Sequence, residues 1–486
     1  MSLSKFMVKK SIASIQAESQ KGELKRTLSA LNLISLGIGC IIGAGIFVMT
    51  GRAAAEYAGP AIMISFVIAG LCCAFAGLCY AELSSMLPVS GSAYSYAYAS
   101  VGELLAWIMG LLLLLEYGIA ASTVAVGWSG YVVSFLGNFG IIIPESLTTP
   151  TLQIINDGKE LVFTGYINLP ALFGVTVMAA LLVLGVKESA NINNVIVLIK
   201  LTVVILFIVV GASYVDTANW HPFIPEEILP TDSSGGKYGW NGILRGAGIV
   251  FFAYVGFEAV STAAQEAKNP QRDIPIGILG SLGICTVLYM AVAAVLTGIV
   301  PYDTLNVPDP IAKAVDAIHL PWLSFVVKIG AIAGLTSVMM VLMYGQTRVF
   351  YTMAKDGLMP AIFSRVHPKF QTPWINTIVV GLVIGLIAAT TPIDILGDLV
   401  SLGTLTAFAI ICFTVLYLRK TEPNLTRHFK VPFSPFFPIL GILFCGYLIY
   451  GLLSNPVTVI FYLVYLVVGL VIYFTYSQKH SKLRVN

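Results

Sequence analysis

Charge is scarce in this chain: 10% of its 486 residues are Asp, Glu, Lys or Arg, where an ordinary soluble domain carries about 25%. So thin a supply cannot solvate a water-facing surface of this size, which excludes a soluble globular protein. The net charge is only +3, so no basic surface is on offer to nucleic acid. Catalytic signatures are missing as well. There is no G-x-S-x-G, no H-E-x-x-H and no Walker A loop, hence no assembled nucleophile, zinc site or ATP cradle. Cys40, Cys72, Cys73, Cys79, Cys285, Cys412 and Cys445 all lie in apolar segments and read as packing residues, not as disulfides or metal ligands. The five histidines fall in connecting loops or the tail without ligand spacing. No cofactor and no metal are expected, and the chain is not read as an enzyme. The first 29 residues are polar and basic, without the apolar stretch of a cleavable signal peptide.

What is present is hydrophobic sequence, at 57% of residues. Apolar runs long enough to cross lipid recur along the chain. Twelve spans are drawn at 30–57, 61–86, 102–136, 168–186, 191–214, 241–265, 275–299, 322–352, 374–392, 395–418, 435–453 and 456–476. The breaks between them carry Pro, Gly, Asn or charge, as in "LPVSGS" (87–92), "VKESANINN" (186–194) and "EAKNPQRDIP" (266–275). An even count places both termini on one side. With that side cytosolic, the inner segments hold 19 Lys and Arg and the outer loops only three, Lys159, Lys237 and Lys313. The positive-inside rule therefore sets both termini in the cytosol of a cell (inner) membrane protein. The outer loops are acidic, as solvated loops depleted of Lys and Arg by that same rule would be.

The first span, "LISLGIGCIIGAGIFVMTG" (33–51), carries Gly37, Gly39, Gly43, Gly45 and Gly51. Each interior glycine weakens a helix by about 0.5–1 kcal/mol relative to alanine. Gly39 and Gly43 also fit a small-xxx-small packing pattern. The sixth span repeats the interruption with Gly246, Gly248 and Gly256 and an acid, Glu258, in mid-span. Paired interruptions in matching positions point to a substrate site, because an unwound turn frees backbone groups. Freed N–H groups at a positive helix end hold a carboxylate, and freed C=O groups hold an ammonium. A dinucleotide loop is excluded, since no strand precedes these glycines and their spacing is not G-x-G-x-x-G.

Ionisable residues inside the spans are the second signal. Glu116 sits mid-way along span three and Lys200 ten residues into span five. Lys200 is too deep to reach the interface and is read as a proton carrier or fixed cation. Glu116 is a candidate either for a proton or for a cationic side chain of substrate. Glu258 is read as support for the broken sixth helix. Arg52, Arg245 and Lys328 lie nearer span ends and read as snorkelling side chains. With no ATP loop, work across the membrane has to be gradient-driven or exchange.

The ordered set "GIGCIIGAGIFVMTG", "AELSSMLPVSGSAYSYAY" (81–98), "VGELLAWIMG" (101–110), "FFAYVGFEAVSTAAQEAKNPQRDIPIGI" (251–278) and "YGQTRVFYTMAKDGLMP" (344–360) resembles the amino acid–polyamine–organocation (APC) superfamily, in particular bacterial permeases similar to its cationic amino acid transporter branch. The resemblance covers about residues 25 to 476. It implies an all-α membrane protein of the LeuT type. Residues 30–214 would form the first five-helix repeat and 241–418 the inverted second. Two peripheral helices (435–476), a cytosolic N-terminal segment (1–29) and a cytosolic tail (477–486) complete the chain.

The resemblance further implies that Ile41, Gly43, Ala44 and Gly45 hold the substrate carboxylate through backbone amides, and that Phe252, Ala253 and Val255 offer carbonyls to its amino group. Lys200 matches the lysine that replaces sodium in proton-coupled members, beside Thr336 or Ser337 of span eight. The expected function is sodium-independent, proton-coupled import of cationic or small neutral L-amino acids. Exchange without a proton is the alternative, and a sensor without flux the more distant one. Glu103, in "VGEL", matches an acid that the eukaryotic cationic transporters retain, whereas those proteins do not generally share Glu116. The expected partners are an L-amino acid (arginine, lysine, ornithine or an alanine-like one), a proton and membrane lipid. The oligomeric state stays open, a monomer included.

Overall fold

A computed structural model describes residues 8–9, 27–87, 92–155, 160–185, 190–228, 237–263, 266–453 and 455–485. Most of the N-terminal segment 1–29, residues 88–91 and 186–189 of the breaks expected at 87–92 and 186–194, and Lys159 and Lys187 of the charge count lie outside the described residues. Among the described residues the regular structure is helical apart from one hairpin between residues 137 and 169. Its antiparallel strands, β1 (Leu152–Ile155) and β2 (Glu160–Phe163), pair Leu152 with Phe163.

Among the described residues eight helices are long and apolar enough to cross a membrane, and four shorter apolar ones accompany them. The chain is a multi-pass membrane protein. The first expected span is two pieces, α1 (Ala30–Ile41) and α2 (residues 45–58), and α2 runs on through a tight Gly59–Ala61 turn into α3 (Ile62–Met86). A short helix α4 (Ser92–Ser100), absent from the sequence reading, precedes the long α5 (Glu103–Gly137). Then follow α6 (Leu169–Val183), α7 (Ala190–Gly211), α8 (Gly239–Val250), α9 (Ala259–Thr262) and α10 (Pro270–Ile299). The loop after α10 holds α11 (Pro310–Ala317). The remainder is α12 (Pro321–Lys355), α13 (Trp374–Thr390), α14 (Ile393–Thr421), α15 (Phe436–Leu452) and α16 (Pro456–Ile472).

Local chemistry sets the ends. Ser29 caps α1 in a reciprocal capping box with Asn32, which satisfies two otherwise orphaned amides. Asn168 caps α6 by accepting from the Ala171 amide at 3.1 Å, and the Ser129 hydroxyl of α5 donates to the same oxygen at 2.7 Å. Proline occupies the first turns of α6, α10, α11, α12 and α16, where its missing N–H costs nothing.

Packing follows an order that hydropathy cannot show. α3 lies on α10, α5 on α12 and α6 on α13. Each pairs a helix of the first half with the one five spans later, and the two broken segments meet in the same sense. α5 is the central strut, with 83% of its apolar window buried, whereas the last helical run, Pro456–His480, buries only 17% and lies at the periphery.

Candidate functional site

The first break opens where Ile42 turns extended (φ −72°, ψ 98°) after the last turn of α1. A continuous helix would bond the carbonyls of Gly39, Cys40 and Ile41 to the amides of Gly43, Ala44 and Gly45. Two of the freed carbonyls are taken by side chains from elsewhere. The Lys200 ammonium of α7 donates to Gly39 O at 2.9 Å, and the Tyr289 hydroxyl of α10 reaches Ile41 O at 2.8 Å. The lysine thus sits at the negative end of a half-helix, where a cation is favoured. On the far side of the break the first amides of α2 lack a carbonyl one turn back, as at any helix start. Ile41, Gly43, Ala44 and Gly45 are all buried here.

The second break follows the tight turn Phe251–Tyr254 after α8. Val255 is extended (φ −55°, ψ 133°) and Gly256 takes φ +111°, a left-handed course that suits glycine alone. Of the carbonyls singled out from the sequence, Phe252 O accepts from the Val255 amide at 3.2 Å. Ala253 O accepts from Tyr289 at 3.0 Å. The two breaks touch directly. A Cβ on Gly45 would overlap the Ala253 Cα, and one on Gly256 would lie 2.9 Å from Cys40 O. Both glycines are needed because backbone meets backbone.

Glu258 is fully buried and accepts from the Gly256 amide at 3.0 Å through Oε2, holding the turn of the second break. Its Oε1 and both oxygens of Glu116 are buried without a hydrogen-bond partner. Glu116 faces Glu258 and Thr404 of α14.

The eighth span carries α12 past both features. Lys200 packs its chain against Gly334, and Gly43 lies against Val338 one turn further on. Thr336, between them, is committed otherwise: its hydroxyl donates to Ile332 O at 2.7 Å and accepts from the Trp128 indole at 2.9 Å. Ser337 is buried beside it.

Two snorkelling assignments, those of Arg52 and Lys328, are corrected. Arg52 is only 4% exposed and pairs with Asp394 at 2.7 Å, Glu56 at 3.3 Å and Asp398 at 3.4 Å. Lys328 is 1% exposed and pairs with Asp316 at 2.8 Å and Asn138 at 3.0 Å. Arg245 stacks 4.7 Å from the Tyr57 ring centre. Hydropathy located these residues near span ends but not the partners folded over them.

Arg52 and Asp394 also line a cavity of 690 Å³ with Met49, Ser129, Asn168 and Asp309. It adjoins α2, whose Val48, Met49 and Arg52 line it. Among the described residues no metal-ligating cluster occurs. The sequence reading missed Tyr289, which no motif flags, and the engagement of Glu103. Glu103 is buried in hydrogen bonds from Tyr98 (3.2 Å), Tyr473 (3.0 Å) and Ser481, with an ion pair to Arg484 at 2.7 Å.

Comparison with known proteins bears on this geometry. A sequence profile of the family described as amino acid permease matches residues 28–479. The chain is 45% identical to a methylthioribose transporter of Bacillus subtilis (strain 168), over 99% of this chain and the whole of that protein. It is 47% identical to the branched-chain amino acid permease BcaP of the same organism, over 98% of each. The vacuolar cationic amino acid transporter 4 of Arabidopsis thaliana is 36% identical over 83% of this chain and 64% of its own length. The profile runs through both broken helices and Lys200, and the bacterial relatives align nearly end to end, so the chain belongs to the amino acid permease family of the APC superfamily and is a membrane transporter, not an enzyme.

Proposed function

We propose that this chain is a secondary active amino acid permease, sodium-independent and proton-coupled, that imports L-amino acids by alternating access. The observation that carries the reading is the apposition of the two broken helices with the Lys200 ammonium on Gly39 O, 2.9 Å away. Freed amides on α2 suit the carboxylate of an amino acid, and freed carbonyls of both breaks suit its ammonium. The Lys200 ammonium at the end of α1 occupies the kind of carbonyl site that a sodium ion would need, and Lys200 is the first place for the coupled proton. The buried pair Glu116 and Glu258 is a second place for it.

The packing of helices five spans apart supports a twelve-span, LeuT-type architecture of two inverted five-helix repeats with two peripheral helices. The 19-to-3 distribution of Lys and Arg supports cytosolic termini in a cell (inner) membrane. For substrate, neutral aliphatic amino acids come first. Ile41, Ile42, Phe252 and Val338 surround the breaks with apolar surface, and the bacterial relatives matched end to end are named for neutral solutes, branched-chain amino acids and methylthioribose. Arginine, lysine and ornithine come second, through Glu116.

The test is reconstitution in liposomes. Uptake of labelled leucine, alanine and arginine is followed with and without an inward pH gradient, and with sodium replaced by potassium. Gradient-driven accumulation that ignores sodium is expected. Dependence on sodium would overturn the Lys200 argument, and homoexchange indifferent to pH would replace symport with exchange.

A further inference from the structure

Tyr289 is fully buried midway along α10, and its hydroxyl faces two acceptors, Ile41 O at 2.8 Å and Ala253 O at 3.0 Å. Each carbonyl belongs to a different broken helix. The ring is held independently of the hydroxyl: its centre lies 5.5 Å from that of Phe66 on α3 and 5.6 Å from that of Tyr254. One O–H supplies a single donor, while two carbonyls ask for two. An ammonium supplies three donors and a positive charge.

We propose that Tyr289 is a positioning residue that stands in for the substrate ammonium on Ile41 O and Ala253 O while the unloaded carrier reorients, and yields these carbonyls to the substrate when it binds. The inference rests on the permease reading above. Reorientation carries the two breaks through the protein interior together. A buried carbonyl without a donor is costly, and in the loaded carrier the ammonium meets that demand. In the unloaded carrier the Tyr289 hydroxyl meets it and keeps the two breaks in register. Net uptake passes through the unloaded return in every cycle, whereas exchange of substrate for substrate does not.

The experiment uses the full-length protein and its Tyr289→Phe variant in liposomes, with labelled leucine as probe. Net uptake is measured into liposomes without internal leucine, and exchange into liposomes preloaded with unlabelled leucine. Tyr289→Phe is expected to lower net uptake about fivefold, the worth of one hydrogen bond, while exchange stays within about twofold and its KM is unchanged or lower. Tyr465→Phe is the control. Its hydroxyl donates at 2.7 Å from the peripheral α16 to Leu111 O of the unbroken α5, so its ratio of net uptake to exchange should match the native one. Equal loss of both rates in Tyr289→Phe, or no change in either, overturns the proposal. So does a native protein that exchanges without net uptake, because no unloaded return then occurs. A native protein that moves no amino acid in either mode overturns the permease reading, and this proposal with it.

Discussion

Gly45 shows how much a missing side chain decides. Its absent Cβ lets α2 cross the turn at Ala253 backbone to backbone. Gly45→Ala should therefore abolish uptake and destabilise the protein by about 3 kcal/mol, the upper range for overpacking, read as a lower unfolding temperature in detergent. Gly283→Ala on α10 is the contrast. Nothing lies within 4 Å of a Cβ there, so uptake should persist with stability equal or slightly higher. Lys200 makes a second prediction at this scale. Lys200→Ala deprives Gly39 O of its 2.9 Å donor and should remove the response of uptake to a pH gradient. A variant that still accumulates leucine under that gradient would rule out Lys200 as carrier. The glycines and the lysine were legible in the sequence, because a weak helix former or a charge in mid-membrane is anomalous by composition. Tyr289 was not, since a tyrosine in an apolar run is ordinary and only its two acceptors distinguish it.

Among the elements, the breaks could be foreseen and their partners could not. Glycine content located the interruptions near 43–45 and 252–256, and the backbone departs from helix at Ile42 and at Val255–Gly256. The small α4, the β1–β2 hairpin and α11 went unseen, because such short segments carry too little periodicity to read. Contacts between distant elements were equally silent. Arg52 of α2 ties that half-helix to α14 through Asp394 and Asp398, more than 340 residues away in sequence. Asp398 is only 3% exposed. Arg52→Gln should thus strand a buried carboxylate and cost about 3 kcal/mol. The same change made together with Asp398→Asn should recover part of that loss, as a double-mutant cycle of unfolding temperatures would register. A single-variant cost under about 0.5 kcal/mol would show the pair to be solvated.

For the molecule as a whole, stability should respond to pH through the loop that carries α11 as well as through transport. Asp309, at the start of α11, is partly covered. Burial pushes its carboxyl up to about 6, opposed by hydrogen bonding from Ser134 and the charge of Lys328, while Asp316 adds to the rise. A raised acid binds its proton more tightly in the folded protein than in the unfolded chain, so stability falls as pH rises from about 4 to about 6. Above that range the ionised carboxyl weakens the fold, and below it the penalty is gone. Asp309→Asn should accordingly raise the unfolding temperature at pH 7.5 and leave it nearly unchanged at pH 4.5. Equal shifts at both values would mean that Asp309 acts through shape and not through charge.

What the sequence determined by itself was the class of the molecule and the places where helices fail. Hydropathy and glycine act locally, and each can be read a few residues at a time. Only the tertiary structure decided that the two failures touch, that Lys200 and Tyr289 claim the freed carbonyls, and that Arg52, Lys328 and Glu103 are paired inside instead of reaching for water. Those outcomes depend on side chains brought together from distant segments, in a low-dielectric interior where an unpaired polar group is too costly to leave alone.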